Sequence, residues 1–108
     1  MLRSIVAAIL FAVHSLGGAQ TIVTEDNVPL DEYLRMLEVI SPSARAGAES
    51  YMAAFAKRCG RSMKTIELRR AVVHGDGDPL LMQMIQAAHF RNTAELQRLG
   101  ATISCGSS

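Results

Sequence analysis

The residues of this chain best suited to chemistry are soft metal ligands. Beyond the first twenty residues the sequence contains two cysteines, and its methionines and histidines there are Met36, Met52, Met63, Met82, Met84, His74 and His89. Thioether sulfur and imidazole nitrogen suit copper, especially Cu(I). Methionine also commonly fills irregular gaps in a hydrophobic core, and a histidine at the border of an apolar face is often structural. The composition therefore indicates either a soft-metal site or a Met-rich core.

Patterns for other kinds of site are incomplete. The sequence contains no Gly-rich phosphate loop, no paired-Cys zinc spacing and no His-Glu-x-x-His helix. The segment Gly75-Asp76-Gly77-Asp78 has the glycines and acids of a calcium loop but lacks a third oxygen ligand and a distant Glu in register, so we interpret it as a turn. Ser62, His74 and Asp78 are close only in sequence, and no nucleophile has an evident base and orienting group. We therefore expect no enzymatic activity.

Three predicted helices must position these side chains. The first begins after Pro29, carries Leu30, Leu34, Leu37 and Ile40 at three- and four-residue spacing, and ends before Pro42. The second runs from Pro42 to about Val73 as one long helix, although Gly60 is a plausible position for a break or kink. The third runs from Pro79 to Gly100, a typical stop residue. The hexad at 74–79 forms the corner between the last two helices, so the pattern predicts an all-α bundle built on a helix-turn-helix hairpin.

The N-terminal segment resembles a secretory signal peptide. Arg3 precedes an apolar run at residues 5–13, and Gly17-Gly18-Ala19 places small residues at a cleavage site. The alternative is an uncleaved anchor, but the run is shorter than the roughly 20 residues of a membrane span. We predict a signal peptide at 1–19, an extended lead-in at 20–28, a helical domain at 29–100 and a tail at 101–108. The mature protein is then periplasmic or secreted, without a stable membrane span.

The two cysteines predict one disulfide bond. Cys59 and Cys105 both belong to the mature region, and an even count in an oxidising compartment favours a bond between them. In an antiparallel hairpin that turns near Asp76, Leu99 lies opposite Ala53, about 9 Å along the helix axis from Cys59. Five or six extended residues span up to ~18 Å, so a tail that folds back can close the bond.

Charge is balanced overall but unevenly distributed. Residues 25–49 contain six acids and two Arg, whereas the segment 57–70 contains one acid, Glu67, and six bases. The bases, here called the basic band, are Lys57, Arg58, Arg61, Lys64, Arg69 and Arg70. The two segments either attract one another, within the fold or between protomers, or the basic band binds an anionic lipid or polymer of the envelope. Export and the scarcity of aromatic side chains disfavour nucleic acid as the partner.

The order of several motifs resembles one bacterial family, catalogued as domain of unknown function 305. The matching residues are Tyr51-Met52-Ala53-Ala54-Phe55, Met63, Gly75-Asp76-Gly77-Asp78, Gln83-Met84-Ile85 and His89, which span about half of the chain. The resemblance implies an exported, ferritin-like helical fold, and copper binding in some members. It implies Met52, Met63, Met84 and His89 as ligands, with Cys59 excluded if it is in the disulfide.

Departures from the family pattern bear on that implied chemistry. The family has a His-His pair where this chain has Gln86-Ala87-Ala88-His89, and Phe55 stands in place of a second Met. Two functional hypotheses follow. One is a periplasmic copper-binding protein with a degenerate ligand set. The other is a stress or accessory protein that acts through protein or envelope contacts, with the basic band as its surface. Because three helices cover their apolar faces incompletely, we also expect a homodimer that completes a larger bundle.

Overall fold

The computed structural model describes residues 28–106, which form five α-helices and, within that range, no strand. The helices are α1 (Leu30–Ile40), α2 (Pro42–Cys59), α3 (Thr65–Val73), α4 (Pro79–His89) and α5 (Thr93–Gly100). The fold is thus the all-α, small helical bundle that the sequence predicts. The predicted signal peptide and the lead-in up to residue 27 lie outside the described residues. Among the residues described, none of the helices is long and apolar enough to cross a membrane.

Prolines mark the starts of α1, α2 and α4, as predicted. Pro29 directly precedes α1, and Ser41 then adopts an extended conformation that separates α1 from α2. The Ser41 hydroxyl accepts hydrogen bonds from the backbone N–H groups of Ser43 and Ala44, at 3.0 and 3.2 Å. Pro42 occupies the first turn of α2, where its missing N–H costs nothing. The serine cap and the proline together define the junction between α1 and α2.

The prediction of one helix from Pro42 to Val73 is wrong. α2 ends at Cys59 because Gly60 adopts a left-handed conformation with φ of 72°, which glycine reaches without a Cβ clash. The chain resumes as α3 at Thr65, where the Glu67 carboxylate accepts the backbone N–H of Lys64 at 2.8 Å. Gly60, noted as a position for a break or kink, is the position of a complete break.

The prediction of one helix from Pro79 to Gly100 is also wrong. α4 ends at His89, Arg91 takes a left-handed φ of 54°, and α5 starts afresh after Asn92. The Asn92 side chain accepts the N–H of Glu95 at 3.0 Å, an N-cap that supports the new start. The turn at 74–78 is present as predicted: Asp78 caps α4 by accepting the N–H of Leu81 at 3.1 Å.

The core forms where α2 crosses α4. The two helices run antiparallel, since Ser43 near the start of α2 meets His89 at the end of α4, while Gly47 meets Ile85. The predicted hairpin therefore pairs α2 with α4, and α3 is part of the connection between them. α1 packs on α2, and α5 packs on both core helices. The buried apolar side chains are Tyr33, Leu34, Leu37, Ala44, Ala48, Tyr51, Phe55, Met63, Leu68, Leu81, Met84, Ala87, Leu99 and Ile103.

Candidate functional site

The four predicted metal ligands differ widely in exposure. Met84 is 1% exposed and Met63 is 7% exposed, so both belong to the core. Met52 is half-buried against that core, whereas His89 is exposed at the end of α4. The His89 Nδ1 lies 3.3 Å from the Ser43 hydroxyl, which leaves Nε2 as its open ring nitrogen.

The register of α2 and α4 spreads these ligands along the bundle. With Gly47 at Ile85, the backbone of Met84 is level with Ala48, while its side chain extends towards Gly100. Met52 follows Ala48 by one turn, about 6 Å along the axis, and His89 lies about 7.5 Å from Met84 in the opposite direction. Met84 and His89 also diverge by about 140° around α4. The register of α2 and α4 therefore does not by itself bring Met84 and His89 together, and copper binding stays a prediction.

Carboxylates and cysteines do not supply a metal site either. Among residues 28–106, no three side chains of His, Cys, Asp or Glu gather closely enough to hold an ion. Cys59 is joined to Cys105, with their Cα atoms 5.4 Å apart, so its sulfur carries no thiolate. The predicted disulfide pairing is therefore present, and a bond of this kind is typical of oxidising compartments.

The C-terminal tail crosses back over α2 to make that bond. Gly100 lies against Ala54, but the predicted hairpin register, with Leu99 opposite Ala53, is wrong, because α4 pairs with α2 through Ile85 opposite Gly47. Ile103 is 3% exposed, and its carbonyl accepts a hydrogen bond from Arg58 Nε at 3.1 Å. The tail is thus fixed to the end of α2 by a buried side chain, a hydrogen bond and a disulfide.

Half of the basic band is already engaged within the fold. Arg61 donates two hydrogen bonds to the Glu67 carboxylate, at 2.9 and 2.7 Å, and its guanidinium lies 4.8 Å from the centre of the Phe55 ring. These hydrogen bonds, together with the Lys64 N–H, lower the pKa of Glu67 to about 2.

Two further arginines of the basic band are engaged: Arg58 binds the tail, and Arg69 lies over Tyr33. Within the described residues, no side-chain hydrogen bond or ion pair involves Lys57, Lys64 or Arg70.

The acidic and basic segments are not joined by ion pairs in residues 28–106. Arg45 pairs with Glu38 at 2.7 Å and with Glu49 at 3.2 Å, all inside the acidic segment. Arg61 pairs with Glu67 inside the basic segment. The suggested attraction between the two segments is therefore not made through ion pairs within the described part of the protomer.

A row of apolar side chains on α1 faces away from the core. Met36 is 54% exposed, Val39 is 83% exposed and Ile40 is 76% exposed. Their three- and four-residue spacing places them on one face, here called the α1 stripe. Ile40, which the sequence grouped with the apolar face of the first helix, is thus directed to the surface. Exposed apolar residues that adjoin one another are typical of interaction sites.

A groove of about 660 Å³ lies between α2 and α5. Its lining consists of Ser50, Ala53, Ala54, Lys57, Arg58, Met84, Thr93, Leu96, Gln97, Gly100 and Ala101. The groove was not predicted from the sequence, because one continuous helix from Pro79 would not return α5 to the side of α2. The only available signal was the Asn92-x-x-Glu95 spacing, which resembles a capping box.

The buried Tyr51 is not an activated nucleophile. Burial, reinforced by the nearby Asp78 carboxylate, raises the pKa of Tyr51 to about 12. Its hydroxyl is therefore protonated at neutral pH, where it acts as a hydrogen-bond donor.

Comparison of the chain with protein-family models, with curated proteins and with solved structures finds no match.

Proposed function

We propose that this chain is a small exported helical protein of the periplasm that acts by protein contact and has no catalytic role. The α1 stripe is its contact surface, and a second copy of the chain is the partner that binds there. The observation that carries this proposal is the exposure of Met36, Val39 and Ile40 on a helix whose other face is packed in the core.

Helix α3 adjoins the side of α1 that bears the stripe. The guanidinium of Arg69 lies 5.7 Å from the centre of the Tyr33 ring, and Met36 and Ile40 follow Tyr33 on the same side of α1. On α3, Arg70 is exposed and precedes Val73, which is 63% exposed, by three residues. A cation and an apolar side chain therefore lie together on α3, the helix whose Arg69 contacts α1.

Charge and apolar surface are complementary between two copies. Glu32 is exposed one turn before Met36, so the stripe has an acid at one end, whereas α3 offers Arg70 and Val73. In a two-fold dimer the same surface serves both partners, so α1 of each copy would face α3 of the other. Glu32 of each copy would then lie near Arg70 of the other, and the α1 stripe would lie against Val73, at both contacts.

Replacement of two stripe residues by lysine tests the proposal. The Val39→Lys/Ile40→Lys variant keeps the fold, because both positions are exposed and cations at a helix C-terminus interact favourably with its dipole. The control is an Ala46→Lys/Ala56→Lys variant, which adds the same charge at exposed positions of α2. Sedimentation velocity at micromolar concentration should show dimers for the natural chain and the control, and monomers for the stripe variant.

Two results would overturn the proposal. One is a natural chain that stays monomeric throughout the concentration series; the other is a stripe variant that associates like the control. Flotation with phosphatidylglycerol vesicles covers the envelope alternative. If the natural chain binds the vesicles and the added lysines strengthen that binding, a membrane surface is the partner and the dimer proposal fails.

A further inference from the structure

We infer that the groove between α2 and α5 is a binding site for a medium-chain fatty acid in its carboxylate form. The groove shares no residue with the α1 stripe or with α3, so this inference does not depend on the proposed function. Its volume of about 660 Å³ lies within the range of small-molecule sites in proteins, roughly 300–1,000 Å³.

The floor and walls of the groove are apolar. Met84 is 1% exposed and lies at the floor, where its terminal methyl carbon comes within 3.7 Å of the position that a Cβ on Gly100 would take. Ala53 and Ala54 form the α2 wall, and Leu96 belongs to the α5 wall. The space exists because Ala53, Ala54 and Gly100 are small. An alkyl chain laid along this surface would remove apolar area from water on both sides of the contact.

Two cations lie at one end of the same groove. Lys57 and Arg58 follow Ala53 and Ala54 by one helical turn, so they line the groove towards the C-terminal end of α2. Among the described residues that line the groove, none is acidic. Apolar walls that lead to two uncompensated cations complement a molecule with an alkyl chain and a single anionic end, and they disfavour a neutral or cationic ligand.

The Arg58 side chain is held in place before any ligand arrives. Its Nε donates to the carbonyl of Ile103, in the tail that the disulfide secures to α2. The remaining guanidinium N–H groups are free to pair with a carboxylate, and a charge-assisted bond of this kind is stronger than a neutral one. Fixing the cation in advance reduces the entropy lost on binding.

Titration calorimetry with dodecanoate, kept below its micelle concentration and with the disulfide intact, tests the inference. The Ala53→Phe variant fills the groove and should weaken binding by at least about tenfold. The Ala56→Phe variant, changed at an exposed α2 position outside the lining, should bind like the natural chain. Gln97→Phe, on the α5 side, is a second filling variant if Ala53→Phe does not fold. Lys57→Gln should weaken binding by up to about fivefold, and Lys64→Gln should not.

The head group is tested with dodecanol and dodecyl phosphate. The inference expects dodecanoate to bind and dodecanol to bind at least about tenfold more weakly. Equal binding of dodecanol would show that the cations play no part, and tighter binding of dodecyl phosphate would assign the site to a phosphate ligand; either result overturns the inference. Absence of dodecanoate binding, or equal affinity of the Ala53→Phe and Ala56→Phe variants, would overturn it as well.

Discussion

Helix α2 approaches α4 so closely at Gly47 that an alanine there should destabilise the protein. A Cβ added to Gly47 would lie 2.5 Å from the Ile85 Cα, 2.6 Å from its Cγ1 and 2.8 Å from its backbone nitrogen. Carbon atoms in contact are ordinarily about 3.5–4.0 Å apart, so α4 would have to retreat by roughly 1 Å. Two of the three atoms belong to the backbone, so a change of rotamer cannot relieve the clash.

The expected cost follows from two opposing effects. Overpacking of a core costs about 1–3 kcal/mol, and a clash with backbone belongs at the upper end of that range. Alanine is favoured over glycine in a helix by about 1 kcal/mol, which offsets part of the cost. We therefore expect Gly47→Ala to lower the free energy of unfolding by about 2 kcal/mol. For a domain of this size that loss lowers the melting temperature by roughly 8–16 °C.

Far-UV circular dichroism during thermal and urea denaturation, without reductant, measures this loss. The Gly100→Ala variant is the control, because its new Cβ would meet side chains and no backbone atom, with Ala54 Cβ at 3.0 Å and Met84 Cε at 3.7 Å, and its loss should be smaller. The double variant Gly47→Ala/Ile85→Ala should remain unstable, since the Ile85 Cα and nitrogen stay in place. A Gly47→Ala protein as stable as the natural one, or full rescue by Ile85→Ala, would refute the backbone clash.

Three further predictions concern pH, the disulfide and copper. Because the pKa of Glu67 falls from 4.5 to about 2 on folding, the contribution of its carboxylate to stability is present above pH 4.5 and is lost as the pH falls towards 2. Urea denaturation at several pH values should therefore show that acidification lowers the free energy of unfolding less in Glu67→Gln than in the natural chain. The Cys59→Ser/Cys105→Ser variant should lose about 4 kcal/mol of stability by urea denaturation, and thiol alkylation followed by mass measurement should label both cysteines of the natural chain only after reduction. If the family resemblance extends to chemistry, a competing Cu(I) chelator should lose about one Cu(I) to the natural chain with its disulfide intact, and binding no tighter than that of a His89→Ala/Met84→Leu control would limit the resemblance to the fold.

Helix starts were predictable because their signals are local. Pro42 and Pro79 each follow a residue whose side-chain oxygen accepts a backbone N–H of the first helical turn. The cap residue and the proline that mark each helix start are therefore neighbours in the sequence. The break after His89 was not predicted, and the break at Gly60 was noted only as an alternative to one long helix. A glycine such as Gly60 costs only about 1 kcal/mol inside a helix, so sequence alone does not decide whether the helix ends there. Arg91 has a left-handed φ that non-glycine residues seldom adopt, and its residue type gives no warning.

Candidate sites that depend on residue type alone were predictable, whereas sites that depend on how the helices pack were not. The Cys59–Cys105 bond was predictable because two cysteines allow one pairing. The burial of Met84 and the exposure of Ile40 depend on how α4 and α1 are oriented against α2, which helical spacing does not specify. The α2–α5 groove depends on the break after His89, so reasoning that missed the break also missed the groove.

The bond between Cys59 and Cys105 also changes the topology of the chain. Together with the backbone it closes α3, α4 and α5 into a covalent ring, and α1 and α2 form an arm that leaves the ring at Cys59. A protease that cuts once in the exposed turn at 74–76 therefore opens the ring without separating the pieces, which would migrate together until a reductant is added. The packing of α2 on α4 does not require that peptide bond, so the turn is a position at which new chain ends could be introduced into the oxidised protein.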